Sequence, residues 1–364
     1  MKKFNNVIKG TLILTTAGIL SKILGFFYRI YLSRCIGAAG MGLFQIVMPA
    51  AGIVFAICSS GIQTAISKFC CDKKNDFLWL ISGLLLSIPT SLILTFIVYT
   101  NADFIATRFI LNEACSSLLK ILSLSFPFAV AFQFLITATY NCINGFYFAK
   151  KKTAIPAFSQ LFEQIIRFCA VYIYVTIYAS DGNASVLCAI YSNLFGEIAS
   201  FLYCTCAIFY TFIKSKYNNT HKKAFLMSKI REMFKFSFPL TANRLLMHIF
   251  QSAEAVLVPA QLIVYGLSKS DSVSIYGILT GMAMPLILFP TALTNSLAVM
   301  LLPAVSELNL ENNNKSIKST INKCITFCIS TGVLSTAIFI FYGSYAGAIV
   351  FNQPEVRNYV CILA

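Results

Sequence analysis

The sequence predicts an all-α protein that crosses a membrane many times, and three observations carry that prediction. Of its 364 residues, 58% are hydrophobic and only 11% are charged, whereas a soluble domain is about a quarter charged. The apolar residues fall into long stretches, many of them able to span a bilayer, which takes about 20 residues as a helix. Between those stretches the basic residues gather at alternate connections.

Nine apolar segments lie near 10–33, 42–67, 77–99, 118–146, 155–179, 186–213, 235–265, 274–303 and 320–350, and a tenth begins near Asn358. The opening segment follows a basic start, as a secretory leader would. It lacks a small-residue cleavage pattern, however, and Lys22 and Arg29 interrupt it, so it reads as a retained first helix.

Orientation follows from the lysines and arginines. The N-terminus carries Lys2, Lys3 and Lys9, and the second-to-third connection carries Lys68, Lys73 and Lys74. Lys150, Lys151 and Lys152 follow the fourth segment, and Lys315, Lys318 and Lys323 precede the ninth. The connection from Lys214 to Lys235 adds seven more. The opposite side has only Arg34, Arg108, Lys120, Lys269 and Arg357. Basic loops stay in the cytoplasm, so the expectation is a multi-pass plasma-membrane protein with a cytoplasmic N-terminus. The net charge of +15 then reflects loops beside anionic lipid, not a nucleic-acid partner.

The long basic connection divides the chain into residues 1–213 with six helices, a cytoplasmic linker at 214–235, and residues 236–364 with helices seven to nine and the start of a tenth. Helices one and seven then run in the same direction, as in a parallel repeat. Weak internal similarity agrees: Gly42 to Pro49 in GLFQIVMP matches Gly277 to Pro285 in GILTGMAMP, and each is followed by a polar turn.

Several functions are excluded. No phosphate-binding loop of the GxxxxGK[ST] type occurs, so ATP does not drive the chain directly. The 13 cysteines lack metal-ligand spacing, and only two histidines are present. Neither a metal nor another cofactor is expected, and no catalytic constellation or large extramembrane domain marks an enzyme.

What remains is charge inside the membrane, where a central cation or carboxylate costs about 3 kcal/mol on insertion scales. Helix one carries Lys22 and Arg29 on a stripe of small residues, seven positions and about 10 Å apart, with no acid on that helix. Helix five carries Glu163 and Arg167 four apart, spaced to pair. Glu197 on helix six can pair with a cation of helix one or five. Helix seven carries Arg244, His248 and Gln251 on one face, with Glu254 further round. Two readings stand: these charges pair and hold the bundle together, or they line an aqueous cleft. Arginine engages two phosphate oxygens at once, so a cleft of Lys22, Arg29 and Arg244 favours an anionic, phosphorylated cargo.

The phrases SFPLTANRLLMHIFQSAEAVLVPAQL, YGILTGMAMPLILFPTALTNSLAVMLLPAVSE, SSGIQTAISK and the opening GTLILTTAGILSKILGFFYRIYLSRCIGAAGMGLFQIVMP closely resemble the stage V sporulation protein B family. That family belongs to the polysaccharide transporter branch of the multidrug/oligosaccharidyl-lipid/polysaccharide flippase superfamily. The resemblance implies two six-helix lobes around a central cavity, with the second lobe incomplete here. It implies alternating access and a cargo of undecaprenyl-diphosphate-linked saccharide, lipid II above all, in spore-cortex or envelope synthesis. Members of the family usually have about fourteen helices, so this chain, stopping inside its tenth, is expected to be a fragment or a truncated product.

Carried over by position and character, Lys22, Arg29 and Arg244 would hold the diphosphate. Gln63, Gln251 and Asn295 would contact sugar hydroxyls, and Glu163, Arg167, Glu197 and Glu254 would form an intramembrane charge network. A coupling ion or the membrane potential is an open expectation, and no protein partner is legible. The rival readings are an ion-coupled drug exporter of the same superfamily and a non-transporting scaffold acting through its basic loops.

Overall fold

A computed structural model of the chain describes residues 2–70, 76–101, 127–150, 152–178, 186–214, 223–291, 294–295, 297, 301, 305 and 314–363. Among them are helices and no strand. In chain order they are α1 (Lys2–Phe55), a π-turn (Ala56–Ser60), α2 (Gly61–Phe69), α3 (Asp76–Thr100), α4 (Pro127–Ala149), α5 (Ala154–Tyr178) and α6 (Leu187–Lys214). Then come α7 (Lys223–Val264), α8 (Lys269–Tyr276), a second π segment (Gly277–Ala283), α9 (Met284–Ile287), α10 (Asn314–Phe351) and α11 (Val356–Leu363). Six helical stretches among the described residues are long and apolar enough to cross a bilayer.

The longest stretch, Thr15–Phe69, makes two of the expected segments. It breaks at Gly37, whose φ of 70° and ψ of −176° lie outside the helical region. A side chain there would be strained, so glycine sets the boundary between helix one and helix two. The second of these two helices holds Pro49 and then the π-turn. Polar side chains meet the rearranged backbone: Ser87 of α3 donates to the Cys58 carbonyl at 3.0 Å, and Ser59 donates to that of Phe55 at 2.9 Å. Asn141 of α4 in turn donates to Ser59 at 3.0 Å. In a bilayer these bonds replace water.

Two of the four buried clusters among the described residues gather most of the bundle. One surrounds the end of α2, with Ile66, Trp79, Phe146, Tyr147 and Met233. The other surrounds the Gly37 break and joins both parts of the chain: Tyr28, Leu32, Met41 and Phe44 pack with Ile278, Met282, Leu286 and Phe351. At this second cluster the two glycines that open the sequence repeats meet. A Cβ on Gly277 would collide with the Ala38 carbonyl and would lie 2.5 Å from the Gly42 nitrogen. Gln45 adds a bond across the same crossing, donating from Nε2 to the Thr280 carbonyl at 3.1 Å.

Arg34 closes that end of the molecule. Its Nε and Nη2 donate to the carbonyls of Val350 and Ile349, at 2.8 and 2.7 Å, where α10 runs out. A cation on the last carbonyls of a helix offsets their unpaired acceptors and the negative end of the dipole. Arg34→Ala is expected to cost about 1 kcal/mol. It should show as faster hydrogen exchange at the end of α10, with α5 and α6 unchanged.

The stretch 214–235, expected as a linker, is helical from Lys223 and continuous with helix seven. Lys229 is buried, with its Nζ 3.8 Å from the centre of the Trp79 ring. Lys68 caps Phe236 at 3.9 Å in the same way. Charge on an aromatic face lets a basic segment pack as helix. The start of the expected fourth segment, residues 215–222, parts of the eighth segment, and Lys73, Lys74, Asp103, Arg108, Glu113, Lys120, Lys151 and Asp181 lie outside the described residues.

Candidate functional site: a cation-lined cavity

α1 packs against α5, and α5 against α6. The segment from Pro285 to Thr291 also meets α1, with the Phe289 and Phe26 ring centres 4.7 Å apart and tilted by 35°. Between these elements lies a cavity of about 440 Å³ whose polar lining is Lys22, Arg29, Gln45, Gln164, Arg167, Asn193 and Thr291, with the Tyr28 side chain at its wall. Its apolar wall includes Phe26, Leu32, Phe44, Met48 and Phe289.

The small-residue stripe of α1 explains the opening. A Cβ on Gly25 would lie 3.4 Å from the Gln164 side-chain oxygen, and one on Gly18 would meet open space. Tyr28 and Ser192 share a hydrogen bond of 2.7 Å, which fixes α1 on α6 beside Arg29. Among the described residues neither Lys22 nor Arg29 has a salt-bridge partner. Two cations thus face one cavity without a carboxylate of their own.

Arg167 differs. Its Nη2 contacts Glu163 Oε1 and lies 3.9 Å from Glu197 Oε1. It lies flat on α6 because the facing residue is Gly196, where a Cβ would come within 2.5 Å of Arg167 Cγ. Arg167 Nε is buried and has no hydrogen-bond partner. Glu197 Oε2 accepts from Thr137 Oγ1 of α4 at 2.6 Å. The pairing of Glu163 with Arg167, expected from spacing, is therefore present, and helix five is the helix that supplies the cation to Glu197.

The remaining expected site residues lie elsewhere. Arg244, Gln251 and Glu254 are exposed on α7, and Arg244 and Glu254 make no ion pair with each other or with another described residue. Gln63 sits half-buried on α2, where its carbonyl faces Gly145 of α4. Asn295 is exposed. None of these five lines the cavity. Gln45, Gln164 and Asn193, which sequence reasoning did not select, do so instead. No group of three potential metal-ligating side chains occurs among the described residues.

A helical membrane bundle with a charged cavity beside its central crossing has the form of a polytopic transporter, not of an enzyme. The chain belongs to the polysaccharide biosynthesis protein family, whose model matches residues 7–309. It is 28% identical over 372 residues to stage V sporulation protein B of Bacillus subtilis, covering 98% of this chain and 69% of that protein. It is 23% identical over 370 residues to the lipid II flippase MurJ of the same organism, covering 93% of this chain and 66% of that protein. Among solved structures, the inward-facing conformation of a multidrug resistance MATE family transporter of the MOP superfamily shares the fold. The TM-score is 0.64 at 12% identity, covering 97% of this chain and 79% of that one. The resemblance to stage V sporulation protein B read from the sequence thus holds, and so does the all-helical transporter fold.

Proposed function

We propose that this protein is a flippase for undecaprenyl-diphosphate-linked saccharides, lipid II-like precursors among them, working in the plasma membrane in spore-cortex or envelope synthesis. The observation that carries this reading is the cavity in which Lys22 and Arg29 have no carboxylate partner among the described residues, joined by Arg167. A diphosphate offers those cations the oxygens they lack. The amides of Gln45, Gln164 and Asn193 suit sugar hydroxyls, and the aromatic wall suits a prenyl chain. Similarity to a lipid II flippase supports the cargo class. A drug exporter for cationic compounds would be better served by unpaired carboxylates, and this cavity presents unpaired cations.

In this reading residues 1–213 and 236–364 form two lobes, joined through 214–235, with the N-terminus in the cytoplasm. The meeting of Gly42 with Gly277 supports the division, because it brings the two sequence repeats onto one contact. Cargo enters between the lobes and leaves on the opposite face when they rock.

Native mass spectrometry of detergent-purified protein tests the proposal. A polyprenyl-diphosphate saccharide is expected to co-purify with the parent and with Arg244→Ala, and to be lost from Lys22→Ala/Arg29→Ala. Bulk phospholipid alone on all three would overturn the reading.

A further inference from the structure

We infer that Glu197 is a proton-binding site coupled to cargo, with Arg167 as the group that links them. The inference rests on the flippase reading above and goes beyond it by naming what the cargo exchanges charge with. Arg167 is at once a lining residue of the cavity and the shared counter-ion of two carboxylates. Its contact with Glu163 is direct, its contact with Glu197 is longer at 3.9 Å, and its Nε is buried without an acceptor. A guanidinium with an unused donor at a cavity wall is poised to turn toward an anion that enters.

Charge counting gives the coupling its direction. Lys22, Arg29 and Arg167 line the cavity and Arg167 also holds Glu163 and Glu197, so these five groups carry one positive charge in excess. A diphosphate diester brings two negative charges, which turns the excess into a deficit of one. In a setting of low dielectric an uncompensated charge is strongly disfavoured, and one proton restores neutrality. Glu197 is the acceptor because it holds Arg167 less closely than Glu163 does. Its Oε2 already accepts from Thr137, so the proton goes on Oε1, the oxygen that Arg167 vacates. The bond formed is O–H on Glu197, the proton comes from solvent, and no electron changes hands.

The surrounding groups leave that role to Glu197. Around the two carboxylates are Arg167 on α5 and Gln133, Thr137 and Tyr140 on α4, while Lys22 and Arg29 on α1 line the cavity that Arg167 shares. Tyr140 is already bonded to Ser159 at 2.9 Å. Loading and proton uptake then favour each other by linkage, so cargo and proton cross the membrane together.

The test is calorimetric titration of the detergent-solubilised chain near neutral pH, in two buffers of different ionisation enthalpy. The probe is geranylgeranyl-diphosphate N-acetylglucosamine, whose phosphates are both esterified and do not titrate there. The parent is expected to take up about one proton per molecule bound, and Glu197→Gln to bind the probe with no uptake. Binding by the parent without uptake, or equal uptake by Glu197→Gln, overturns the coupling and leaves the flippase reading standing. Failure of the parent to bind the probe overturns both. Should Glu197→Gln not fold, the parent's own stoichiometry in the two buffers decides.

Discussion

Arg29→Ala should lower flipping of a fluorescent polyprenyl-diphosphate disaccharide in proteoliposomes by about 100-fold, while Arg29→Lys keeps an intermediate rate. A hydrogen bond to a charged group contributes about 1.5–3 kcal/mol, and each 1.4 kcal/mol is about tenfold. Arg29 lies in the membrane-spanning part of α1, lines the cavity and has no carboxylate among its described neighbours, so its loss leaves Lys22 and Arg167 to hold two phosphates. Lysine restores the charge but not the paired donors, which is why it recovers only part of the rate. Arg244 lies outside the cavity lining, and Arg244→Ala should stay within about threefold of the parent if that exclusion governs binding. Flipping is read from the disaccharide's accessibility to a membrane-impermeant enzyme. An Arg29→Ala rate close to the parent's would remove the diphosphate from this cavity.

Gly277→Ala should open the crossing between helix two and the second π segment. Its added carbon meets backbone on every near side: the Ala38 carbonyl, the Gly42 nitrogen at 2.5 Å and the Gly42 Cα at 2.9 Å. Backbone cannot rotate away as a long side chain can, so the two helices must separate. Overpacking of this kind costs about 1–3 kcal/mol, enough to shift the equilibrium between joined and parted helices by about 5- to 150-fold. The Gln45–Thr280 bond lies one turn along and should be lost with it. Hydrogen exchange over residues 38–45 and 273–283 is expected to accelerate, with α5 and α6 unaffected. Unchanged exchange at both segments would mean the crossing tolerates a methyl group.

Much of this architecture is legible in the sequence because membrane insertion leaves so few solutions. Apolar length marked the spans, whereas the break between helices one and two falls on Gly37, whose positive φ no length argument picks out. Lys22 and Arg29 were legible as cations on a small-residue face with no acid on their helix, and Glu163 and Arg167 as an i, i+4 pair. What the sequence withheld is which face of each helix meets the cavity. Arg244 shares a face with His248 and Gln251, but helical periodicity cannot say that Arg244 and Gln251 lie exposed. Gln63, Gln251 and Asn295 were selected where Gln45, Gln164 and Asn193 line the cavity, because an uncharged amide in an apolar helix does not say which way it faces until its neighbours are known. The stretch 214–235 read as a linker because it is basic, and from Lys223 it is helix. Its lysine at 229 is accommodated by Trp79, a partner far away in sequence.

Lys22 and Arg29 line a cavity that is completed only by α5 and α6, and this has a consequence for how the protein is made. Synthesis runs from the N-terminus, so helix one enters the membrane with both cations before α5 and α6 exist. Two central cations cost about 5–7 kcal/mol on insertion scales, and nothing within the nascent helix neutralises them. The first helix should therefore linger at the insertion machinery, or stay near the interface, until the fifth and sixth helices arrive. Chains halted before α5 and α6 emerge would leave both cations on a helix whose cavity is not yet built.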